Sequence, residues 1–468
     1  MSKSIYADIN SDETRVAIVE KGKLIDLSIR RPGDDKSVGN IYFGIVKNVI
    51  EGINSCFVDI GKGKNAFLPI SDYYGDIKKD EPVMVQVSKE EIDEKGAKIT
   101  GKISLPGRHL VYMPNESKIG ISKNIIDRDN RIELKKLLES LTPQGAGFVV
   151  RTTALGQNRR AIIREAKFLI RKWDRIKREF NKAKKKKKAH LLYEESDIVL
   201  YAAREFLDEN TVVFFVNDKT TYKAVVSFVK ITFPDLKGRI KLYEADIPIF
   251  EKHNLEQQID NLKKRTIQLD CGGYIIIEQT EALTAVDVNT GSYVKGLNRE
   301  ETAVKVNTEA AIVIASQIIL RDIGGIIIID FIDLDKRQNR IRLFDLLKEE
   351  LEADKARVTI FPMTKLGLIE LTRQRRKESI VKIICCNCPY CGGSGMIFSE
   401  LTMYIRIKRE LLNKGPNLPG RFINLFLHPR VAEKMDEKGI GNIEKILGKK
   451  IKLRRDYKMH HEEFKITS

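Results

Sequence analysis

Apolar and polar positions along this chain change their spacing from one region to the next, and the elements follow from that. Val16-Ala-Ile-Val-Glu, followed by Arg31-Pro-Gly-Asp-Asp, reads as short strands with a turn. From Gly39 the apolar runs are Gly39 to Ile50, Ser55 to Gly61, Asn65 to Ile70 and Glu81 to Val87, punctuated by glycine. That rhythm predicts a small five-stranded OB-type barrel. Further on, Ile162, Ala166, Leu169, Trp173, Ile176 and Phe180 recur at alternating steps of four and three. They form the buried stripe of one amphipathic helix. Helix and strand patterns then alternate from 197 to 384, which predicts an α/β sheet. The tail to Ser468 reads as further helices and strands.

Length and composition narrow the class. With 468 residues, about three domains are expected. A hydrophobic fraction of 42% excludes general disorder. No run reaches the roughly 18 to 20 apolar residues of a spanning helix, since Ala310 to Leu320 is interrupted by Ser316 and Gln317. The first residues lack the apolar core of a secretory signal. The expectation is a soluble, cytoplasmic protein with no integral membrane association.

The net charge of +18 is concentrated in one place. Between Arg151 and His190 sixteen Lys or Arg face only Glu165, Asp174 and Glu179, so that window holds +13 of the total. Because the apolar stripe is needed for packing, the cations occupy the outer face. Nucleic acid suits such a concentrated stripe better than a lipid surface, because counterion release favours it. On the barrel, Phe57 and Phe67 are candidates for base stacking, with Lys64 and Lys95 as phosphate contacts.

Two acidic segments carry candidate chemistry. In Leu283-Thr-Ala-Val-Asp-Val-Asn, residues two apart share a strand face, so Asp287 and Asn289 project together. In Gly324-Gly-Ile-Ile-Ile-Ile-Asp330-Phe-Ile-Asp333, four isoleucines mark a buried strand that ends on Asp330. The two aspartates lie 43 residues apart, and Thr302 to Arg321 between them reads as a helix. A strand–helix–strand crossover brings the strand ends together. Asp287 and Asp330 then suit one hard divalent cation such as Mg²⁺, with Asn289 in support. Asp333 is expected to face away if the strand runs straight.

Four of the six cysteines lie within seven residues: Cys385, Cys386, Cys388 and Cys391. Cys388-Pro-Tyr-Cys391-Gly-Gly is half of a zinc ribbon. Either Cys385 and Cys386 complete the set, or a second subunit donates its own pair. Adjacent cysteines chelate one tetrahedral ion poorly, which favours a shared Zn²⁺ that clasps a dimer.

Several segments, in this order, resemble the ribonuclease E/G family of bacterial endoribonucleases. They are Gly39-Asn-Ile-Tyr with Phe57-Val-Asp-Ile-Gly and Phe67-Leu-Pro, Gly147-Phe-Val-Val-Arg-Thr, and Thr280-Glu-Ala-Leu-Thr-Ala-Val-Asp-Val-Asn. Gly325-Ile-Ile-Ile-Ile-Asp-Phe-Ile-Asp, Lys365-Leu-Gly-Leu-Ile-Glu-Leu-Thr-Arg-Gln-Arg and Cys388-Pro-Tyr-Cys-Gly-Gly-Ser-Gly follow. The resemblance implies an α/β multidomain fold in which an RNase H-like subdomain (1–38 and 197–265) is split by two insertions. These are an OB-fold RNA-binding barrel (39–115) and a 5′-sensor subdomain with the basic helix (116–196). A DNase-I-like catalytic subdomain (266–384), a zinc link (385–396) and a small C-terminal dimerisation domain (397–468) complete it.

The resemblance also assigns roles. Asp287 and Asp330 match the holders of the catalytic Mg²⁺, Asn289 assists, and Cys388 and Cys391 match the zinc-sharing pair. Gly120, Arg151 and Thr152 match a pocket for a 5′-monophosphate, where an arginine fork and a hydroxyl suit phosphate oxygens. The implied activity is Mg²⁺-dependent hydrolysis of single-stranded, A/U-rich RNA, leaving 5′-phosphate and 3′-hydroxyl ends. It would serve rRNA and tRNA maturation and mRNA decay, in a homodimer or dimer of dimers. With no long disordered tail, the chain is laid out like the smaller members. The rival reading is a non-catalytic RNA-binding or ribosome-associated protein, against which the acids count: a pure binder needs no anionic cluster beside phosphates.

Overall fold

The computed structural model describes residues 2–33, 37–89, 96–185, 188–195, 197–291, 298–352, 354–375 and 378–468. It forms two compact units, Met1–Ile383 and Ile384–Ser468.

In the first unit the strands Lys3–Ile9, Thr14–Glu20 and Lys23–Arg30 form an antiparallel meander. Lys3–Ile9 also pairs in parallel with Thr211–Val216, which in turn pairs with Ile240–Leu242. The two sequence-distant stretches therefore share one five-stranded sheet. The helices Ile198–Phe206 and Lys219–Thr232 bury Ala202, Ala203, Val225 and Val229 in its core.

Residues 41–193 form the insertion between these stretches. Ile41–Ile50, Ser55–Asp59, Ala66–Pro69, Lys98–Thr100 and Pro82–Lys89 pair in that order, and the last closes on the first. The result is a closed five-stranded barrel filled by Val46, Val58, Leu68, Val85 and Ile99. The closure leaves no free edge within the ring. Leu105–Pro106 and Leu110–Met113 follow the barrel in sequence without joining it. They pair with each other, and Leu110–Met113 also pairs with Gly147–Val150, forming a four-stranded sheet with Ile119–Ile121. The last barrel strand along the chain therefore ends at Thr100. The basic helix, Arg159–Ala183, packs Ile162, Ala166, Leu169 and Ile176 on that sheet.

The remaining sheet has six strands in the order Thr266–Gln268, Tyr274–Gln279, Leu283–Asn289, Gly325–Asp330, Leu368–Arg373, Val358–Ile360. Only Leu283–Asn289 and Gly325–Asp330 run parallel, and the helix Arg299–Leu320 is their crossover. That helix is the one among the described residues long and apolar enough to cross a membrane by length and composition. It is a core helix here, with Val306, Ala310, Ile314 and Ile318 fully buried against the sheet. Arg373 ties the far side together: 5% exposed, it donates to Asp354 and Asp322.

The second unit is a three-stranded sheet centred on Phe422–Leu427, flanked by Lys450–Arg455 and Phe464–Thr467. Met403, Ile407 and Leu411 of the helix Glu400–Lys414 cover it, with Val431 and Met435 of Pro429–Lys438.

Candidate active site

The crossover places the two aspartates side by side. Along Leu283–Asn289, Thr284, Val286 and Val288 are buried, and the alternation leaves Asp287 exposed. Along Gly325–Asp330, Ile327 and Ile329 are buried, and Asp330 is exposed. Asp287 and Asp330 are register partners on neighbouring parallel strands, so they share a face at the strand ends. The Asn289 amide donates to Asp287 Oδ2 at 2.7 Å, which fixes that carboxylate and leaves the amide oxygen available. Burial, then the charge of Asp287, then that of Asp333, push the Asp330 carboxyl above its ordinary range.

Asp333 therefore adds its charge to that of the pair, although the three acids do not gather into one ligand group. The strand ends at Asp330, and Phe331 to Leu334 continue without regular structure to a bend at Asp335. That segment is held from the crossover helix. Asn307, with no exposure, donates through Nδ2 to the Ile332 carbonyl at 2.7 Å and accepts from the Ile332 N–H at 3.0 Å. Glu300, in the first turn of the same helix, accepts from the N–H groups of Asp335 and Lys336 and from the Asn339 amide. Both residues escape sequence reasoning. Only burial separates Asn307 from any other helix asparagine, while Glu300 sits among unremarkable charges. Beside this segment is a cavity of about 90 Å³ that Asp333, Arg340 and Lys365 help to line. It sets two cations near Asp333.

The donor set fits a hard cation. Among the described residues no group of three or more His, Cys, Asp or Glu is assembled around a metal position. Two carboxylates with an amide oxygen are what Mg²⁺ takes from a protein while keeping waters. The repulsion that raises Asp330 is what such an ion would relieve.

On the barrel, Phe57 and Phe67 are direct cross-strand partners with ring centroids 6.0 Å apart. Their neighbours Cys56, Val58, Ala66 and Leu68 are buried, so both rings, half-buried, stand on the outer face. Lys98 is the next partner of Phe67 across the sheet, and its ammonium lies 3.7 Å from Asp72. It extends the aromatic row and was not among the sequence candidates. Lys64 is exposed nearby in sequence, and Lys95 lies outside the described residues.

Gly120 pairs with Val149, and the next strand residues lead to Ser122 and Thr152, whose hydroxyls meet at 2.9 Å. A side chain at Gly120 would touch Val149 at 3.4 Å. The Arg151 fork is not open: its two terminal nitrogens bind Glu205 at 2.9 and 2.8 Å, and one also donates to the Gly107 carbonyl. Arg131 donates to the Ser122 and Ile125 carbonyls, adding an unforeseen cation beside the hydroxyl pair.

In the second unit Gly392, Gly393 and Gly395 all adopt positive φ, a conformation that suits glycine. The tight turn aims the Gly395 N–H at Cys391 Sγ, 3.3 Å away. Hydrogen bonds from Gly395 and Gly393, with Cys388 beside it, hold the Cys391 thiol below its ordinary range. Cys385 and Cys386 are exposed and do not gather with this pair into a ligand group.

A family model described as the ribonuclease E/G family matches residues 104–376. The chain belongs to that family. It is 33% identical to ribonuclease G of Haemophilus influenzae, over 99% of both chains. To ribonuclease G of Escherichia coli (strain K12) it is 32% identical over the full length of both. Ribonuclease E of the same strain is 33% identical over 87% of this chain and 40% of its own. Asp287 and Asp330 both lie within the part that the family model spans.

Proposed function

We propose that this protein is a Mg²⁺-dependent hydrolytic endoribonuclease that cuts single-stranded, A/U-rich RNA. The in-register pair Asp287 and Asp330 carries the reading, in a chain whose full-length relatives are named ribonucleases. Asp287 and Asp330 hold the cation, and Asn289 keeps the Asp287 carboxylate oriented. Bound there, Mg²⁺ would supply an activated water and offset charge on the scissile phosphate. Phe57 and Phe67 stack bases, while Lys64, Lys95 and Lys98 contact the backbone. Cleavage leaves 5′-phosphate and 3′-hydroxyl ends.

A 5′-monophosphate binds at Gly120, Arg151 and Thr152 and stimulates cleavage by placing the substrate. Since the Arg151 fork already binds Glu205, the phosphate shares or displaces that carboxylate, which keeps the stimulation modest. Cys388 and Cys391 share Zn²⁺ with the same pair of a second subunit. RNase H-like and DNase-I-like subdomains, a cytoplasmic location and roles in rRNA and tRNA maturation and mRNA decay complete the reading.

The test is a short 5′-monophosphorylated RNA incubated with Mg²⁺ or with chelator. Internal cuts are expected with Mg²⁺ and should fall by about a hundredfold or more in Asp287→Asn. Arg151→Gln should slow only the monophosphorylated substrate. Clean wild-type protein that binds the RNA and leaves it intact would overturn the reading in favour of a non-catalytic binder.

A further inference from the structure

Sixteen cations crowd residues 151–190, and folding sorts them. Along Arg159–Ala183 the residues Arg160, Arg164, Lys167, Arg171, Arg175, Arg178 and Lys182 succeed one another at steps of four, three, four, four, three and four. All seven are exposed. At roughly 100° and 1.5 Å per residue they form one stripe about 80° wide and about 33 Å long. It faces away from the buried Ile162, Ala166, Leu169 and Ile176. Lys172 is excluded from it: its ammonium turns inward over the Tyr193 ring, 3.8 Å from Glu195.

The stripe is scarcely compensated. Glu179 pairs with Lys182 at 3.0 Å, and among the described residues none of the other six makes an ion pair with a carboxylate. Arg171 and Arg178 donate to carbonyls one turn back, which lays their guanidinium groups along the helix. Like charges one turn apart repel, so the arrangement costs helix stability unless a polyanion lies on it. The aromatic residues of the helix are spent elsewhere: Phe168 and Trp173 pack on the core, and Phe180 meets Phe43. The stripe therefore offers charge and arginine forks without a stacking platform, the reverse of the Phe57 and Phe67 face.

We infer that this stripe is a second RNA-docking surface that grips the sugar-phosphate backbone of a base-paired segment. Paired RNA hides its bases and is held by shape and phosphate contacts, while single strands are held largely by stacking. Separate from the acidic pair, the stripe anchors a folded flank while the unpaired stretch is cut. The inference rests on RNA as substrate.

The test compares full-length wild type with the variant Arg164→Gln, Arg171→Gln, Arg175→Gln, Arg178→Gln. A control variant, Lys223→Gln, Lys230→Gln, Lys237→Gln, removes exposed charge from another helix and the loop after it. Binding to a hairpin-flanked RNA and to an unpaired decamer is followed by fluorescence anisotropy over a KCl series, and both substrates are assayed for KM. At roughly 0.7 to 0.9 per phosphate, the stripe variant should lose about three from the log–log salt slope on the hairpin RNA. Its KM for that RNA should rise about tenfold, and less for the decamer. Circular dichroism verifies that the helix survives the four exchanges. An unchanged slope, an equal loss on both RNAs, or the same loss in the control variant would overturn the inference. Wild type that binds neither RNA would instead remove the RNA reading on which it rests.

Discussion

Glu165 sits on the buried side of the most basic helix in the chain, 2% exposed, and accepts the His109 N–H. Burial pushes its carboxyl up to about 7, against backbone donors and Arg151 that favour the charge. Burial, with Arg108 beside it, pushes the imidazole of His109 down to about 4. These neighbours act on stability with opposite sign. From an ordinary value near 4.5 up to about 7 the native state holds the Glu165 proton that the unfolded chain has lost. Stability therefore falls with rising pH through that window. From about 4 up to an ordinary 6.5 the unfolded chain holds a proton on His109 that the native state lacks, so stability rises. The two nearly cancel where the windows overlap. Glu165→Gln should uncover a rise on the order of 3 kcal/mol between roughly pH 4 and 6.5, read as the variant-minus-wild-type difference in urea unfolding. A variant-minus-wild-type difference that does not change with pH would mean that Glu165 is already ionised in the native state.

At the scale of elements, the crossover helix Arg299–Leu320 does more than connect two strands. Its Asn307 and Glu300 hold the segment after Asp330 at Ile332 and Asp335, on either side of Asp333. Replacing Asn307 with Leu keeps the branched shape of the side chain and leaves the Ile332 N–H and carbonyl without partners, a cost of about 2 kcal/mol. If the clamp also positions the acids, Asn307→Leu should weaken Mg²⁺ binding, measured by calorimetry without RNA. An equally destabilised variant with unchanged Mg²⁺ affinity would reduce Asn307 to a structural role. The strands of this sheet were legible because their isoleucine runs and alternation admit one register. The clamp was not, because an asparagine inside a helical pattern looks the same whether it faces solvent or a neighbouring turn. The same blindness applies to Arg151, since nothing near it in sequence points to Glu205, 54 residues away.

For the whole molecule, the proposed zinc reading has the knuckle of Cys388 and Cys391 supply half a tetrahedral site. If two chains complete it, Cys388→Ser or a strong chelator should convert dimer to monomer in sedimentation velocity, with the far-ultraviolet spectrum of each chain kept. A dimer that survives both would place the contact elsewhere. Pattern and motif by themselves determined four of the five barrel strands, the amphipathic basic helix, the strand–helix–strand crossover and the acids at its ends. Each rests on local periodicity, on glycine and on the short range of backbone hydrogen bonding. Only tertiary structure decided the rest. It set the strand order in which residues 3–30 and 211–242, which the family resemblance had put in one subdomain, share a sheet, and it assigned Leu110–Met113 to the sheet beside the barrel. It also drew seven cations of sixteen into one stripe. Pairing partners and side-chain environments are set by residues far apart in the chain, and one-dimensional spacing carries no record of them.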